Sequence, residues 1–320
     1  MKEHLNIALY QQDIANSDPQ ENYKRVGNAF AQMSRLRLNA DGCVSADEMR
    51  IKDQQKEREP QVDSCCRPDI LIVPETFTTG FGNQMAALAE APEGPTLEFA
   101  RQMAAQYDAL FVGTWTVCEE GRVFNRMHLV RPDGTFTHYD KAHTFRMSSE
   151  ATQVARGKKR IVLEWRGWKL LPSICYDLRF PVWLRNYPNI QNPLASGSES
   201  KVMLDYDVLL LSANWPSSRK EAWNTLLRAR AIENLSYVVG ANRVGIDGNA
   251  IAYSGDSVIL DFKGAPLAEA QSNAAQVITA TLHKERLQSF RQHWPFFLDA
   301  DVTELTTTTP YQQSTPDTLK

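Results

Sequence analysis

Short, almost entirely apolar segments recur along the chain, and they constrain its fold more than any other feature. The stretches ILIVP (70–74), LLLSA (209–213) and VVGAN (238–242) lack the alternation of a half-exposed strand, which is typical of central strands buried on both faces. Apolar runs bounded by turn residues predict strands at residues 5–10, 70–73, 109–117, 123–130, 161–165, 169–174, 208–212, 237–242, 257–261 and 277–282.

Stretches with helical periodicity lie between these strands. We predict helices over residues 22–36, 96–106 and 218–234. In the last of them, Ser218 as N-cap and Glu221 three residues later fit a capping box, and apolar residues recur on one face. Strands that alternate with amphipathic helices predict a layered α/β fold rather than an all-α or all-β one.

The length of the chain, 320 residues with 42% hydrophobic side chains, suffices for one large domain or two ordinary ones. Two polar segments interrupt the pattern, one near 37–68, where residues 50–63 carry eight charged side chains, and one near 188–202. Because strand patterns resume directly on both sides of each, we interpret them as surface insertions in a single domain, residues 1–302. Residues 303–320 are predicted to form a flexible tail.

Charge, hydropathy and cysteine usage exclude several classes of protein. The net charge of −3 gives no basic surface for nucleic acid, and no apolar run approaches the roughly 20 residues of a membrane span. The five cysteines are odd in number, irregularly spaced and without paired zinc-ligand spacing. Such a chain is expected to keep free thiols in a reducing compartment, so we predict a cytoplasmic protein that binds neither membrane nor nucleic acid.

Three segments place a reactive side chain close to an apolar run, where open α/β sheets carry their sites. Glu75 follows ILIVP, Lys141 lies in FTHYDKAHTFRM, and Cys175 follows KLLPSI. Because Asp177 could cap a helix that starts near Leu178, Cys175 would lie at a strand-to-helix turn, and we expect the helix N-terminus to favour its thiolate. Each residue alone also fits a plain alternative: a solvated glutamate, a surface lysine or an inert buried cysteine. His143 would suggest a Cys-His pair, but the local sequence of papain-like enzymes is absent.

Taken together, these segments resemble the nitrilase superfamily of carbon–nitrogen hydrolases. PETF (74–77), DKAHTF (140–145) and ICYDLRFP (174–181) stand in the order of the Glu-Lys-Cys triad of that family. The resemblance extends from residue 5 to about residue 301. It is closest to the bacterial omega-amidase branch, which has segments similar to EWRGWKLLPSICYDLRFPVW, ANWPSSR and YVVGANRVGIDGN.

The resemblance implies a four-layer α-β-β-α sandwich that forms a homodimer in which helix packs on helix. It also implies that Cys175 is the nucleophile, Glu75 the general base and Lys141 the cation that stabilises the oxyanion. Glu150 matches the position of the family's second glutamate, and the main-chain N–H of Tyr176 would be a further oxyanion donor. Neither a metal nor an organic cofactor is implied.

The implied substrates are small omega-amido acids, such as 2-oxoglutaramate and 2-oxosuccinamate, whose terminal amide is hydrolysed through a cysteine thioester. Because such a substrate carries a carboxylate, its pocket requires a further cation, for which Arg146 and Arg179 are candidates, with Trp215 as a pocket wall. The plain alternatives are a structural ion pair for Arg179 and core packing for Trp215. The triad does not separate this activity from that of other aliphatic amidases, carbamoylases or nitrilases, and a non-catalytic scaffold is the alternative from another class.

Overall fold

The computed structural model of the protein describes residues 2–40, 67–190 and 202–300. Its strands are β1 (His4–Gln11), β2 (Ile70–Ile72), β3 (Leu110–Glu119), β4 (Arg122–Val130), β5 (Phe136–Asp140), β6 (Leu163–Trp165), β7 (Trp168–Ile174), β8 (Pro188–Ile190), β9 (Val202–Leu204), β10 (Val208–Ala213), β11 (Tyr237–Asn242), β12 (Val244–Ile246), β13 (Ala252–Ser254), β14 (Val258–Leu260), β15 (Pro266–Glu269) and β16 (Gln276–His283). Its α-helices are α1 (Pro19–Ala40), α2 (Pro95–Tyr107), α3 (Glu150–Gln153), α4 (Pro181–Leu184), α5 (Lys220–Asn234) and α6 (Lys284–His293). None of the described helices combines the length and the apolar character that a membrane crossing needs.

Two six-stranded sheets form the centre of the molecule. The first has the order β16-β1-β2-β3-β4-β5 and the second the order β15-β14-β11-β10-β7-β6. Strands β1, β2 and β3 run parallel, as do β7, β10 and β11, and the outer strands pair antiparallel. The parallel centre of each sheet coincides with the segments that the sequence predicts to be buried on both faces.

Successive residues of the central strands contribute to two different cores. In β1, Leu5, Ile7 and Leu9 belong to the core between the two sheets, whereas Ala8 and Tyr10 pack with helices α1 and α2. This division follows from the two-residue period of a strand, since neighbouring side chains point to opposite faces. Burial on both sides therefore explains why these strands are apolar throughout.

Helices cover the outer face of each sheet. Helix α1 packs on the first sheet through Val26 and Phe30, and α5 packs on the second through Trp223 and Leu227. The contact of α5 is close, because a Cβ at Gly240 in β11 would lie 2.9 Å from Leu227. The protein is thus a four-layer α-β-β-α sandwich, which confirms the predicted fold class.

Two local features differ from the sequence-based expectation. Ser218 is not an N-cap, because a 3₁₀ helix at Ser217–Arg219 precedes α5, and the capping position falls on Arg219, which makes no side-chain cap bond. The polar segment near 188–202 is not wholly loop, since its ends pair as strands β8 and β9. Most of the segment near 37–68, the middle of the segment near 188–202 and the tail 303–320 lie outside the described residues.

Candidate active site

The ends of strands from both sheets meet at one place. Glu75 lies shortly after β2 and Lys141 directly after β5, both in the first sheet, while Cys175 follows β7 and Asn214 follows β10 in the second. Glu75 and Lys141 are fully buried, and Cys175 is partly exposed. The three residues that the sequence singles out are therefore brought together by the face-to-face packing of the sheets.

Lys141 lies between two carboxylates. Its Nζ is 2.8 Å from Glu75 Oε1 and 2.9 Å from each of the two carboxylate oxygens of Glu150. An ammonium group has three N–H donors, so all of them have an acceptor in this arrangement. The cluster holds two carboxylates and one ammonium in a buried position, and its formal charge is therefore negative.

Asn125, in the middle of β4, connects the two carboxylates. Its Nδ2 donates to Glu75 Oε1 at 2.8 Å and to Glu150 Oε1 at 3.0 Å, and its main-chain carbonyl accepts the N–H of Lys141 at 3.0 Å. Glu150 also accepts the main-chain N–H of Phe145 at 2.6 Å. These donors fix both carboxylates around Lys141.

The second oxygen of Glu75 is held from the other sheet. Glu75 Oε2 accepts the main-chain N–H of Asn214 at 2.9 Å, and the Asn214 side chain donates to the Glu75 carbonyl at 2.6 Å. The carbonyl of Asn214 lies 3.8 Å from Cys175 Sγ. Glu75 and Cys175 are thus both anchored to the segment that follows β10.

The buried cluster shifts the pKa of Lys141 and the pKa of Glu150 in a definite direction. Burial disfavours the charged ammonium of Lys141, but Glu150 and then Glu75 outweigh this effect and raise the pKa above its ordinary 10.5. Burial also raises the pKa of Glu150, which the attraction of Lys141 only partly offsets. Lys141 therefore remains protonated across the physiological range.

The expectation of a thiolate at Cys175 is wrong. Burial first, and the nearby Glu75 carboxylate second, raise the pKa of the Cys175 thiol well above its ordinary 9.0, and Lys141 opposes this only in part. A helix N-terminus carries only a partial positive charge with which to stabilise a thiolate. The two buried carboxylates disfavour the thiolate, and their effect is larger. The resting nucleophile is therefore a neutral thiol whose proton must be removed by a base.

The turn that carries Cys175 has a strained main chain and is held in place by the side chain of Asp177. Cys175 has φ of 44°, in the left-handed region, which an L-residue adopts only when its surroundings impose it. Asp177, two residues on, is fully buried and accepts the N–H of Ile174 at 3.0 Å, the hydroxyl of Tyr139 at 2.8 Å and the N–H of His143 at 3.0 Å. Asp177 thus connects the turn at Cys175 to residues 139–143, which include Lys141.

His143 contributes to this support rather than to a Cys-His pair. Its Nδ1 lies 2.7 Å from Asp177 Oδ1, and its ring stacks on Phe180 with 3.8 Å between centroids.

Gly157 packs directly against the main chain next to Lys141. The N–H of Gly157 donates to the Lys141 carbonyl at 2.8 Å. A Cβ at Gly157 would lie 2.0 Å from the carbonyl oxygen of Asp140, so only glycine allows this approach.

A cavity of about 270 Å³ reaches Cys175 from the surface. Of the predicted substrate-binding residues, Arg179 and Trp215 line it, and Tyr176 lies beside them. The Arg179 guanidinium lies over the Trp215 ring, 4.9 Å from its centroid, and Trp215 is itself buried. Arg146 is exposed and is not among the residues that line the cavity.

Several residues of the site were not identified from the sequence. Asn214 meets the criterion that identified Glu75, since it is a polar residue at the end of an apolar strand. The sequence therefore contains the signal for Asn214. Asn125 gives no such indication, because it lies inside a strand, between Phe124 and Arg126, and not at the end of an apolar run. Arg219 also lines the cavity, and nothing in its local sequence distinguishes it from Arg146.

The chemistry of the site follows from its donors. A thiol beside a glutamate side chain, with a fixed ammonium next to both, is a set suited to nucleophilic attack on a carbonyl carbon. Within residues 2–40, 67–190 and 202–300, no group of three or more histidine, cysteine or acidic side chains forms a potential metal site.

Comparisons with known proteins agree with this geometry. The family model for carbon-nitrogen hydrolases matches residues 6–292. The omega-amidase YafV of Yersinia enterocolitica is 44% identical over 240 residues, which are 75% of this chain and 87% of that protein. The 2-oxoglutaramate amidase of Bacillus subtilis (strain 168) is 30% identical over 234 residues, 72% of this chain and 84% of that protein.

A solved structure extends the similarity over nearly the whole chain. The protein XC1258 from Xanthomonas campestris, a CN-hydrolase superfamily protein with an arsenic adduct in its active site, is 37% identical and superposes with a TM-score of 0.79. The superposition covers 95% of this chain and 100% of that one. The family model, the two relatives and this structure confirm the resemblance found in the sequence: the chain belongs to the carbon–nitrogen hydrolase family.

Proposed function

We propose that the protein is an omega-amidase, which hydrolyses the terminal amide of small omega-amido acids to the acid and ammonia. The observation that carries the proposal is the Cys175 thiol beside the Glu75–Lys141–Glu150 cluster, at the base of a cavity with arginines in its wall. The names of the two relatives, an omega-amidase and a 2-oxoglutaramate amidase, support the same substrate class.

Acylation begins with the thiol proton. Glu75 accepts the proton from Cys175, and the sulfur attacks the amide carbon to form a tetrahedral intermediate with a negatively charged oxygen. Because burial and the nearby Glu75 raise the pKa of the thiol, we place this proton transfer after substrate binding rather than in the resting enzyme. Covalent catalysis of this kind divides one difficult hydrolysis into two easier steps.

Proton transfer to Glu75 also changes what Lys141 can donate to. Before the transfer, all three N–H groups of Lys141 point to carboxylate oxygens. Once Glu75 is neutral, its oxygen is a weaker acceptor, and one N–H becomes available to the substrate oxyanion. The main-chain N–H of Tyr176 is the second proposed donor, and one such donor is worth about 3–4 kcal/mol of transition-state stabilisation.

Glu75 carries a proton in each of the remaining steps. Glu75 gives it to the amide nitrogen as the carbon–nitrogen bond breaks, so that ammonia leaves and a Cys175 thioester remains. Glu75 then takes a proton from water, which attacks the thioester, and the carboxylic acid is released as the thiol is restored. Glu150 stays bound to Lys141 throughout and keeps the ammonium in place.

The substrate carboxylate requires a cation at the far end of the cavity. We assign this role to Arg179, with Trp215 as the wall against which its guanidinium rests. We do not assign it to Arg146, because that residue does not line the cavity. A guanidinium binds a carboxylate through two parallel hydrogen bonds, which gives direction as well as affinity.

We propose three further properties: a single domain, a homodimer and a cytoplasmic location. The core between the sheets contains residues from Leu5 to Leu287, which supports one domain over residues 1–302. Ile232 on α5 is 50% exposed and Val182 on α4 is 49% exposed, which supports a homodimer formed by helix packing. The described cysteines, Cys118 and Cys175, are free thiols, which supports a reducing, cytoplasmic compartment.

The test is ammonia release from 2-oxoglutaramate, succinamate, butanamide and butanenitrile, measured with the wild-type protein and with Cys175→Ala. We expect Cys175-dependent turnover of the two carboxylate-bearing amides in preference to butanamide. Preferential turnover of the neutral amide or of the nitrile would contradict the substrate class but keep the nucleophile. Cys118→Ala is the matched control and is expected to retain activity, since Cys118 is exposed on β3 and does not line the cavity.

A further inference from the structure

The cavity above Cys175 has three charged residues in its wall: Arg179, Arg219 and Asp247. The carboxylate of Asp247 is already engaged within its own hairpin. Its Oδ1 accepts the main-chain N–H groups of Asn249 at 2.9 Å and Ile251 at 3.0 Å, and its Oδ2 accepts the Tyr253 hydroxyl at 2.9 Å. Among the described residues, Asp247 forms a salt bridge with neither arginine.

The two arginines of the cavity differ from several arginines elsewhere in the protein. Arg126, Arg230 and Arg291, for example, are each paired with a carboxylate. Over the described ranges of the chain, neither Arg179 nor Arg219 has a carboxylate at salt-bridge distance, and each instead lies over an aromatic ring. Arg219 lies over Phe145, with 5.5 Å from Cζ to the ring centroid. Their N–H groups thus remain available to a ligand.

The main chain around Arg219 is fixed and is linked to Arg179, the residue to which we assign the substrate carboxylate. Its carbonyl accepts the indole N–H of Trp215 at 2.8 Å, and the Trp215 ring carries Arg179 on its face. Its guanidinium lies over Phe145, which in turn makes an edge contact of 5.2 Å with Tyr176, the neighbour of Cys175. Arg219 and Arg179 are therefore positioned by one continuous set of contacts around the cavity.

We propose that Arg219 is a specificity-determining residue, which binds the carboxylate end of the substrate together with Arg179. This inference rests on the proposed function and identifies a second cation for the same site. Two guanidinium groups that share a cavity, neither of them in a salt bridge with a described residue, repel one another, and a bound carboxylate relieves that repulsion. The pair consequently favours an anionic amide over a neutral amide of the same length.

The contribution of the Arg219 side chain can be separated from that of its main chain. Substitution by methionine removes the guanidinium but leaves the carbonyl that holds Trp215. Lys220→Met is the matched control, because it removes one positive charge from the adjacent residue, which is exposed and does not line the cavity. Arg219→Lys keeps the charge but not the two parallel donors.

The first measurement is the ratio of kcat/KM for succinamate to kcat/KM for butanamide. We expect Arg219→Met to lower this ratio by about 10- to 100-fold, mainly through a higher KM for succinamate. The binding free energy of a hydrogen bond to a charged group corresponds to a factor of this size. Arg219→Lys is expected to restore part of the loss, and Lys220→Met to leave the ratio at the wild-type value.

The second measurement does not depend on turnover. In the Cys175→Ala background, the dissociation constant of succinamate is measured by calorimetry with and without Arg219→Met, after thermal melting has shown that both proteins are folded. We expect weaker binding by a similar factor. Unchanged binding and an unchanged ratio, in a wild-type enzyme that prefers succinamate, would overturn the role of Arg219. A wild-type enzyme without that preference would instead overturn the proposed function.

Discussion

Lys141 contacts Glu150 through both carboxylate oxygens, each 2.9 Å from Nζ. This symmetric contact is separate from the single contact of Lys141 with Glu75 at 2.8 Å. Because the two carboxylates are held differently, one can take up and release a proton while the other keeps the ammonium in place. In the proposed mechanism, the tasks of base and support thus fall to two residues of the same type.

We expect Lys141→Met to destabilise the protein by about 3–5 kcal/mol at pH 8, since it leaves two buried carboxylates without their cation. Without Lys141 these carboxylates bind protons more tightly in the folded than in the unfolded state. The free energy of unfolding then falls as the pH rises from 5 to 8. Urea denaturation at both pH values measures this.

The double variant Lys141→Met/Glu150→Gln is the control, because it removes one of the unpaired charges. It is expected to recover part of the lost stability at pH 8 and to depend less on pH. If the single variant were equally stable at both pH values, the buried carboxylates would not be coupled to Lys141 as described.

The raised pKa of the Cys175 thiol predicts the pH dependence of its alkylation. The thiolate fraction of a thiol rises about tenfold per pH unit below its pKa. The rate of modification by iodoacetamide is therefore expected to increase continuously up to pH 9. Peptide mapping distinguishes Cys175 from Cys118 in the same sample, and a plateau at or below pH 7 would show that the resting residue is a thiolate.

Asn125→Ala is expected to lower kcat by about 10- to 100-fold, because it removes one donor from each of two buried carboxylates, and such a loss corresponds to ~1–3 kcal/mol. KM is expected to change little, since Asn125 does not line the cavity. Asn28→Ala, on the exposed side of α1, is the matched control for loss of an amide. A variant with wild-type kcat would remove Asn125 from the catalytic machinery.

Gly157→Ala tests how closely Gly157 packs against the main chain at residues 140–141. The new Cβ would lie 2.0 Å from the carbonyl oxygen of Asp140, so we expect a loss of about 1–3 kcal/mol of stability from overpacking, together with a lower kcat. Gly27→Ala in α1 has no atom within 4 Å of the new Cβ and is expected to stabilise the protein by ~0.5–1 kcal/mol. Equal effects of the two substitutions in thermal melting would contradict the proposed tight contact.

The residues predicted from the sequence are those whose role follows from their place on a strand. Glu75, Lys141 and Cys175 are polar residues next to apolar runs, and the family resemblance supplied their order. Asn125 could not be found in this way, because its partners lie 50 and 25 residues away in the chain. The pKa of Cys175 was mispredicted for a related reason: the carboxylates and the burial that raise it come from other elements.

The same distinction applies to the helices and the cavity. The period of the apolar residues located α5, but it did not indicate the 3₁₀ helix that precedes it and displaces Ser218 from the N-cap. Arg146 and Arg179 each lie shortly after a predicted catalytic residue, yet only Arg179 lines the cavity. Side-chain direction is set by the local turn, which spacing in the sequence does not specify.

The central claim is that amide hydrolysis proceeds through a thioester on Cys175. Intact-mass spectrometry of enzyme quenched in acid during turnover of succinamate, followed by peptide mapping, tests it most directly. We predict a mass increase equal to that of the succinyl group, located on the peptide that contains Cys175 and absent from Cys175→Ala. Steady turnover with no acyl adduct, or an adduct on another residue, would contradict the mechanism.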